Sequence, residues 1–134
     1  MKLKRVTYTM GKKLKNIGYN VISRHYWKTD NTGNRSYFKD RPFTNKQLKN
    51  DKNGCVRPTL ELVKKWFRKN YGIIIEPYNG LNRGWQLQIF MGIAPMKQTV
   101  IFDDSTIFDS YDKTLEIGID IATRHIMLIN RDNN

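Results

Sequence analysis

The sequence predicts an α+β fold in which a helix, a three-stranded antiparallel sheet and a second helix form a two-layer domain. A basic N-terminal extension, made of an arm and a β-hairpin, is expected to precede it. Apolar residues recur at helical spacing in two segments that flank three strand-like runs. The excess of basic residues lies before the first of these segments. We therefore place the extension over residues 1–57 and the compact domain over residues 58–134.

The first predicted helix begins after a proline. Leu60, Val63 and Phe67 recur every three or four residues, which places them on one face of a helix. Pro58 does not fit inside a helix, and the hydroxyl of Thr59 can cap its first turn. The sequence therefore predicts an amphipathic helix that starts at this point.

Three runs of strand-forming residues follow this helix. "IIIEPY" (73–78) and "WQLQIFM" (85–91) are separated by a segment rich in turn formers, which predicts a hairpin. "QTVIF" (98–102) predicts a third strand. The "DDST" segment (103–106) predicts a turn, because aspartate and serine are common in turns.

The last predicted helix carries the second long apolar stripe. Asp109 or Ser110 is expected to cap it. Gly118 lowers helix stability unless another element passes close to it. The stripe consists of Tyr111, Leu115, Ile119, Ala122, Ile126 and Ile129.

The charge is distributed unevenly along the chain. Residues 1–57 contain 15 Lys or Arg and three Asp, whereas residues 58–134 contain nine basic and nine acidic residues. The whole net charge of +12 therefore belongs to the extension. Such a field attracts polyanions, among which nucleic acid is the commonest partner. The alternatives are that the charge serves solubility, or that it binds an acidic protein.

Within the extension, residues 2–10 and 19–28 are predicted strands. "TDNTGN" (29–34) is a strong turn, and "RSYFK" (35–39) would return as the partner strand of a hairpin. No internal repeat or low-complexity tract appears.

The basic and aromatic residues of the extension are the candidate nucleic-acid-binding site. Lysine and arginine side chains of a hairpin and an arm can follow a phosphate backbone, and Trp27 or Tyr37 can stack on unpaired bases. The alternative is that the aromatic residues cover the core while the basic groups point to water. The arm residues are Lys2, Lys4, Arg5, Lys12, Lys13 and Lys15, and the hairpin residues are Arg24, Trp27, Lys28, Arg35, Tyr37, Lys39 and Arg41.

Catalytic motifs are absent from the sequence, which contains no glycine-rich phosphate loop, GxSxG or HExxH. Cys55 with His25 and His125 does not make a standard zinc ligand set. We expect a protein that is not an enzyme and that uses no cofactor and no metal. An alternative is a cation site formed by Asp103, Asp104, Asp109 and Asp112. A structural role is favoured, because the first two lie in a predicted turn and the last two at the start of a predicted helix, where carboxylates are common.

The order of helix, three strands and helix over residues 58–130 is similar to that of double-stranded-RNA-binding domains. That family contacts RNA through a lysine-rich stretch at the start of its last helix and through the loop between its first two strands. The matching stretches here are "SYDKTLE", with Lys113, and "EPYNGLNRG", with Arg83. The resemblance implies this fold, and RNA contacts at those two positions.

A second resemblance rests on local motifs. Pro-Thr opens a helix that carries Trp66 and ends in Tyr-Gly-Ile, and Tyr-x-x-x-Leu-Glu-x-Gly-Ile opens the last helix. These motifs resemble small uncharacterised proteins of gut bacteriophages and mobile elements. The resemblance implies a viral accessory or virion protein, located in the bacterial host cytoplasm or the virion. The alternative function is a virion component or a host-takeover or anti-defence protein that binds another protein. We expect no membrane segment, because no run approaches about 18 apolar residues.

Overall fold

The structure is a computed structural model that describes residues 3–79, 84–92 and 99–132. The chain divides into an N-terminal unit, Met1–Thr59, and a C-terminal unit, Leu60–Asn134. The described residues form three helices and two three-stranded antiparallel sheets. The predicted α+β class is therefore confirmed.

The N-terminal unit consists of one helix and one small sheet. Helix α1 (Tyr8–Asn16) is followed by strands β1 (Tyr26–Thr29), β2 (Arg35–Phe38) and β3 (Cys55–Val56), in the sheet order β2-β1-β3. The predicted hairpin is confirmed as β1 and β2, although β1 covers only the end of the predicted strand over residues 19–28. Strand β3 was not predicted.

The structure does not show the predicted strand over residues 2–10 or the basic arm, because α1 begins at Tyr8 and, before it, Arg5 forms only an isolated β-bridge with Thr59. The Thr7 hydroxyl caps the helix by accepting a hydrogen bond from the backbone N–H of Met10 at 3.3 Å. Gly11 lies inside the helix, where it costs stability in isolation. A Cβ at Gly11 would lie 3.1 Å from Cys55 Sγ and 3.2 Å from the Val56 carbonyl oxygen. Gly11 weakens the helix by itself, but its lack of a side chain lets α1 pack closely on β3.

The hairpin presents two different faces. Trp27 pairs with Tyr37 on one face, and Tyr26 pairs with Phe38 on the other. Tyr26 is buried, whereas Trp27 is half-buried. The Asp30 carboxylate closes the turn by accepting hydrogen bonds from residues of the turn and of β2. The unit's buried apolar core consists of Val6, Leu14, Ile17, Tyr19, Tyr26, Leu48, Cys55 and Val56.

The C-terminal unit has the predicted order of elements. Helix α2 (Leu60–Tyr71) leads into strands β4 (Ile73–Asn79), β5 (Trp85–Met91) and β6 (Thr99–Phe108), and helix α3 (Tyr111–Asp132) follows. The strands form an antiparallel sheet in the order β4-β5-β6. In the parts of the chain that the structure describes, no helix combines the length and the apolar character needed to cross a membrane.

The predicted turn at residues 103–106 is wrong, because these residues lie inside strand β6. Leu87 of β5 pairs with Asp104, and Trp85 pairs with Phe108, with register shifts along the ladder. Continued pairing with a neighbouring strand supplies hydrogen bonds that a local turn preference does not offset. Irregular register accommodates the extra length.

Both helices of the C-terminal unit pack on the sheet. Helix α3 approaches so closely that a Cβ at Gly118 would lie 2.5 Å from Ile75 Cγ2 and 3.0 Å from Leu87 Cδ1. This is the close passage that a glycine in the helix requires. The Ser110 hydroxyl caps α3 by accepting from the N–H of Lys113 at 3.1 Å, as predicted. Core residues are Leu60, Val63, Phe67, Ile73, Ile75, Leu87, Ile89, Leu115, Ile119, Ala122 and Ile126.

Candidate nucleic-acid interface

Four half-buried rings and three arginines come together on one side of the N-terminal unit. Helix α1, the hairpin, and the residues that precede α1 and follow β3 each contribute. We call this surface the arginine–aromatic face, and its residues are Arg5, Tyr8, His25, Trp27, Arg35, Tyr37 and Arg57.

The rings of the arginine–aromatic face hold one another in place. Tyr8 meets Trp27 edge to face, with centroids 5.3 Å apart, and Trp27 lies 5.5 Å from Tyr37. Nδ1 of His25 is 2.6 Å from the hydroxyl oxygen of Tyr37. All four rings therefore have fixed orientations while part of each stays open to solvent.

Two arginines lie over these rings. The guanidinium of Arg35 is 3.9 Å from the centroid of Tyr8. The guanidinium of Arg57 is 5.3 Å from the Trp27 centroid and 5.0 Å from the Tyr37 centroid. Such cation–π contacts contribute roughly 0.5–1 kcal/mol at exposed sites. They position the guanidinium groups without neutralising them.

Backbone hydrogen bonds fix two of the arginines further. Nε of Arg57 donates to the Val6 carbonyl oxygen at 2.9 Å, and NH1 of Arg5 donates to the Arg57 carbonyl oxygen at 2.9 Å. A guanidinium has five N–H donors. Most donors on both side chains therefore remain for an external acceptor.

No carboxylate among the described residues forms an ion pair with Arg5, Arg35 or Arg57. The three aspartates of the N-terminal unit have other hydrogen-bond partners. Asp30 accepts from its own turn, Asp40 from the Tyr26 hydroxyl, and Asp51 from Thr29 and Asn53. None of these three aspartates therefore neutralises an arginine of the face by an ion pair.

His25 responds to that field. Burial lowers the pKa of His25, and the nearby charges of Arg5, Lys39 and Arg57 lower it further. The ring therefore stays neutral at pH 7 in the free protein. Three cations acting on a single imidazole indicate how densely charge is concentrated at this surface.

The structure separates the predicted hairpin residues. Trp27, Arg35 and Tyr37 belong to the arginine–aromatic face, whereas Lys28 alternates to the other side of the hairpin. Three further predicted residues, Arg24, Lys39 and Arg41, are exposed.

The predicted arm residues also have different surroundings. Lys2 lies outside the described residues, and Lys4 is exposed. Arg5 forms an isolated β-bridge with Thr59 and belongs to the arginine–aromatic face. Lys13 is half-buried on α1.

Lys12 and Lys15 bind backbone carbonyl groups of the segment that precedes β3. Nζ of Lys15 donates to the carbonyl oxygens of Leu48 at 2.7 Å, Asp51 at 3.2 Å and Gly54 at 2.6 Å, which uses all three of its N–H groups. Nζ of Lys12 donates to the Lys52 carbonyl oxygen at 2.7 Å. Lys15 therefore has a structural role and is not part of the arginine–aromatic face.

Sequence reasoning missed the contributions of Tyr8, His25 and Arg57 to this surface. Tyr8 falls in the predicted strand over residues 2–10, and Arg57 lies 30 residues beyond Trp27 in the chain.

The thiol of Cys55 is buried, and burial raises its pKa to about 11, so it is a poor nucleophile at neutral pH.

The predicted contacts of the C-terminal unit are partly described. Lys113 is exposed at the start of α3, and Arg83 lies outside the described residues. Asp109 and Asp112 are exposed near the start of α3, where Asp112 lies in the first turn, while Asp103 and Asp104 belong to β6. Among residues whose side chains are described, no group of three His, Cys, Asp or Glu could hold a metal ion.

No protein-family model, curated protein or solved structure matches this chain. The two resemblances drawn from the sequence stay predictions.

Proposed function

We propose that this chain is a non-enzymatic nucleic-acid-binding protein whose N-terminal unit binds through the arginine–aromatic face. The observation that carries the proposal is the set of three arginines, Arg5, Arg35 and Arg57, held against rings or backbone with no carboxylate partner among the described residues. Arginines fixed in this way present N–H donors to phosphate at a low entropic cost.

The rings add a contact that phosphate binding alone does not need. Trp27 and Tyr37 are half-buried, so their positions are fixed while part of each ring stays open to an unpaired base. The net charge of +12 in residues 1–57 would speed encounter with a polyanion of either type, DNA or RNA.

The C-terminal unit is expected to act as a scaffold, because its nine basic and nine acidic residues cancel. The motif resemblance supports a role as an accessory protein of a bacteriophage or mobile element, acting in the host cytoplasm or the virion. A virion or host-takeover role through an acidic protein partner is the competing hypothesis.

The salt dependence of binding tests the proposal. Full-length protein is titrated with fluorescent single- and double-stranded DNA and RNA between about 50 and 200 mM salt, because each phosphate contact adds about 0.9 to the slope. Arg35→Gln should weaken binding and reduce the slope by about 1. Arg131→Gln removes the same charge from an exposed position at the end of α3 and should leave the slope unchanged.

Equal slopes for Arg35→Gln, Arg131→Gln and the unchanged protein would show that the arginine–aromatic face does not contact phosphate. If the full-length protein binds no nucleic acid at the lower salt, the proposal is wrong. Capture of an acidic protein partner would then be the next experiment.

A further inference from the structure

The N-terminal unit contains an open cleft of about 480 Å³ beside β1. This volume lies within the range of about 300–1,000 Å³ that is typical of small-molecule sites. The side chains that give the cleft its chemistry are Lys28, Phe43, Gln47, Leu48, Asn50 and Lys52.

The wall of the cleft is held by buried or partly buried polar groups. Lys15 binds the carbonyl oxygens of Leu48 and Asp51. Asn45, which is buried, donates from Nδ2 to the Tyr19 carbonyl oxygen at 2.7 Å and accepts from the N–H of Val56 at 2.9 Å. The backbone of this segment is thus anchored at several points, which favours a preformed cleft.

The lining combines three kinds of chemistry that a nucleotide requires. Phe43 and Leu48 supply apolar surface, and the Phe43 ring is fixed by Tyr26, with centroids 4.5 Å apart. Asn50 carries an amide group that matches the donors and acceptors on base edges, and Gln47 supplies its Nε2 donor, because its Oε1 already accepts from the N–H of Thr44 at 2.9 Å and from the Thr44 hydroxyl at 3.3 Å. Two further lining residues, the exposed Lys28 and Lys52, supply positive charge for a phosphate.

The single carboxylate of the lining does not oppose an anion strongly, because its oxygens are occupied. Asp51 accepts from the N–H of Thr29 at 2.9 Å, the Thr29 hydroxyl at 2.6 Å and the N–H of Asn53 at 2.9 Å. Burial works against ionisation, but these hydrogen bonds and the charge of Lys15 keep the pKa of Asp51 below its ordinary value. The charge is therefore balanced within the protein.

On β1, the cleft meets the side that carries the arginine–aromatic face at Thr29. Thr29 lines the cleft, and Trp27 lies two residues before it on the same side of β1. Lys12 of α1 is hydrogen-bonded to the backbone of Lys52, whose side chain lines the cleft. Lys28 and the Phe43 ring, which packs on Tyr26, lie on the opposite side of β1, so a strand bound on the face must pass round the end of β1 at Thr29 to reach the cleft.

We propose that the cleft binds one unpaired nucleotide of a nucleic-acid strand. The base lies against Phe43. The Asn50 amide and the Nε2 donor of Gln47 bind its edge, and Lys28 and Lys52 bind the flanking phosphates. The inference rests on the proposed function and makes it specific for single strands, because a base inside a duplex cannot reach the Phe43 ring.

The test compares single strand with duplex, using full-length protein and a fluorescent oligonucleotide of about 12 nucleotides alone or with its complement. Asn50→Ala and Lys52→Gln should each weaken single-strand binding by roughly two- to tenfold, as expected for one hydrogen bond or charge contact. Duplex binding should change no more than it does for Lys49→Gln. Lys49 is exposed in the same segment and does not line the cleft.

Phe43→Leu provides a second readout, since it keeps an apolar side chain but removes the ring. We expect roughly a tenfold loss for the single strand, in the range of one base–aromatic stack. Circular dichroism checks that the Phe43 variant is folded. Asn50 is exposed, so Asn50→Ala is not expected to disturb the fold and gives an independent test.

Equal losses on both substrates, or full single-strand affinity in Asn50→Ala, would overturn the cleft assignment. If the duplex and the single strand then still bind with a salt slope that depends on Arg35, the proposed function stands without the cleft as a nucleotide site. If the unchanged protein binds neither probe, both proposals are wrong.

Discussion

Both units have a buried apolar core, but they differ in the polar contacts that accompany it. In the C-terminal unit, fully buried apolar side chains of two helices, including Val63, Phe67 and Ile119, pack on the inner side of the sheet. In the N-terminal unit the sheet is small, and basic side chains bind backbone carbonyl groups of the segments around it. Lys15 and Arg57 are the clearest cases.

In the N-terminal unit, stability and proposed binding depend on the same residue types, whereas in the C-terminal unit the core does not depend on basic residues. The C-terminal unit uses apolar contacts for its core and has no net charge. The N-terminal unit uses the same residue types, lysine and arginine, for its internal contacts and for its exposed field. A loss of binding on mutation of a basic residue therefore means little there until the stability of the variant is known.

The largest expected effect is on the C-terminal core. Phe67→Ala should lower the free energy of unfolding of that unit by about 3–5 kcal/mol, because it leaves a cavity among fully buried side chains. Hydrogen exchange followed by mass spectrometry would report each unit separately. Faster exchange should be confined to residues 60–132. Equally faster exchange in both units would show that they unfold as one and would break the comparison.

A smaller loss is expected when a lysine anchor is removed from the N-terminal unit. Lys15→Met should cost about 1–3 kcal/mol, because three partly buried carbonyl groups lose their donor. Lys12→Met removes one such contact and should cost less. Urea denaturation measures both. If the two variants have the same midpoint, the carbonyl contacts of Lys15 are not what stabilises this unit.

The smallest effect concerns pH. The folded pKa of His25 lies below its ordinary value of 6.5, because burial and then Arg5, Lys39 and Arg57 disfavour its charged form. The unfolded chain therefore binds the proton more tightly. His25 should contribute fully above pH 6.5, and this contribution should be lost as the pH falls through the folded pKa.

The measurement is the urea midpoint of the N-terminal unit at about pH 7 and pH 5.5, on either side of the ordinary histidine pKa. His25→Gln should reduce the difference between the two midpoints, while His125→Gln in α3 should not. The aspartates of the unit titrate lower and should not contribute in this range, since hydrogen bonds lower their pKa values. An unchanged difference in His25→Gln would exclude His25 as the titrating group.

Periodicity was sufficient to predict most of the C-terminal unit. The apolar spacing in α2 and α3 reflects burial against one sheet, and the alternation in β5 reflects a sheet with one covered face. It was insufficient for β6, where pairing with β5 extends the strand through residues that prefer turns. It also failed for α1, whose Gly11 is explained only by the contact with Cys55.

The candidate interface was predictable in part. The excess of basic residues before residue 58 and the aromatic residues of the hairpin indicated the surface and four of its members, Arg5, Trp27, Arg35 and Tyr37. The exposed cleft residues Asn50 and Lys52 gave no signal, because turn-forming polar residues are common in any loop.

The sequence by itself determined the α+β class, the order of elements after residue 58 and the location of the charge. These properties are local, since they depend on spacing along the chain and on composition. Only the tertiary structure decided which basic side chains are available to a partner and which bind the protein's own backbone. Folding brings Arg5, Arg35 and Arg57 to one surface and fixes Lys15 on three carbonyl groups, through contacts between residues up to 52 positions apart. Identical side chains therefore take different roles, because each role depends on the neighbours that the fold supplies.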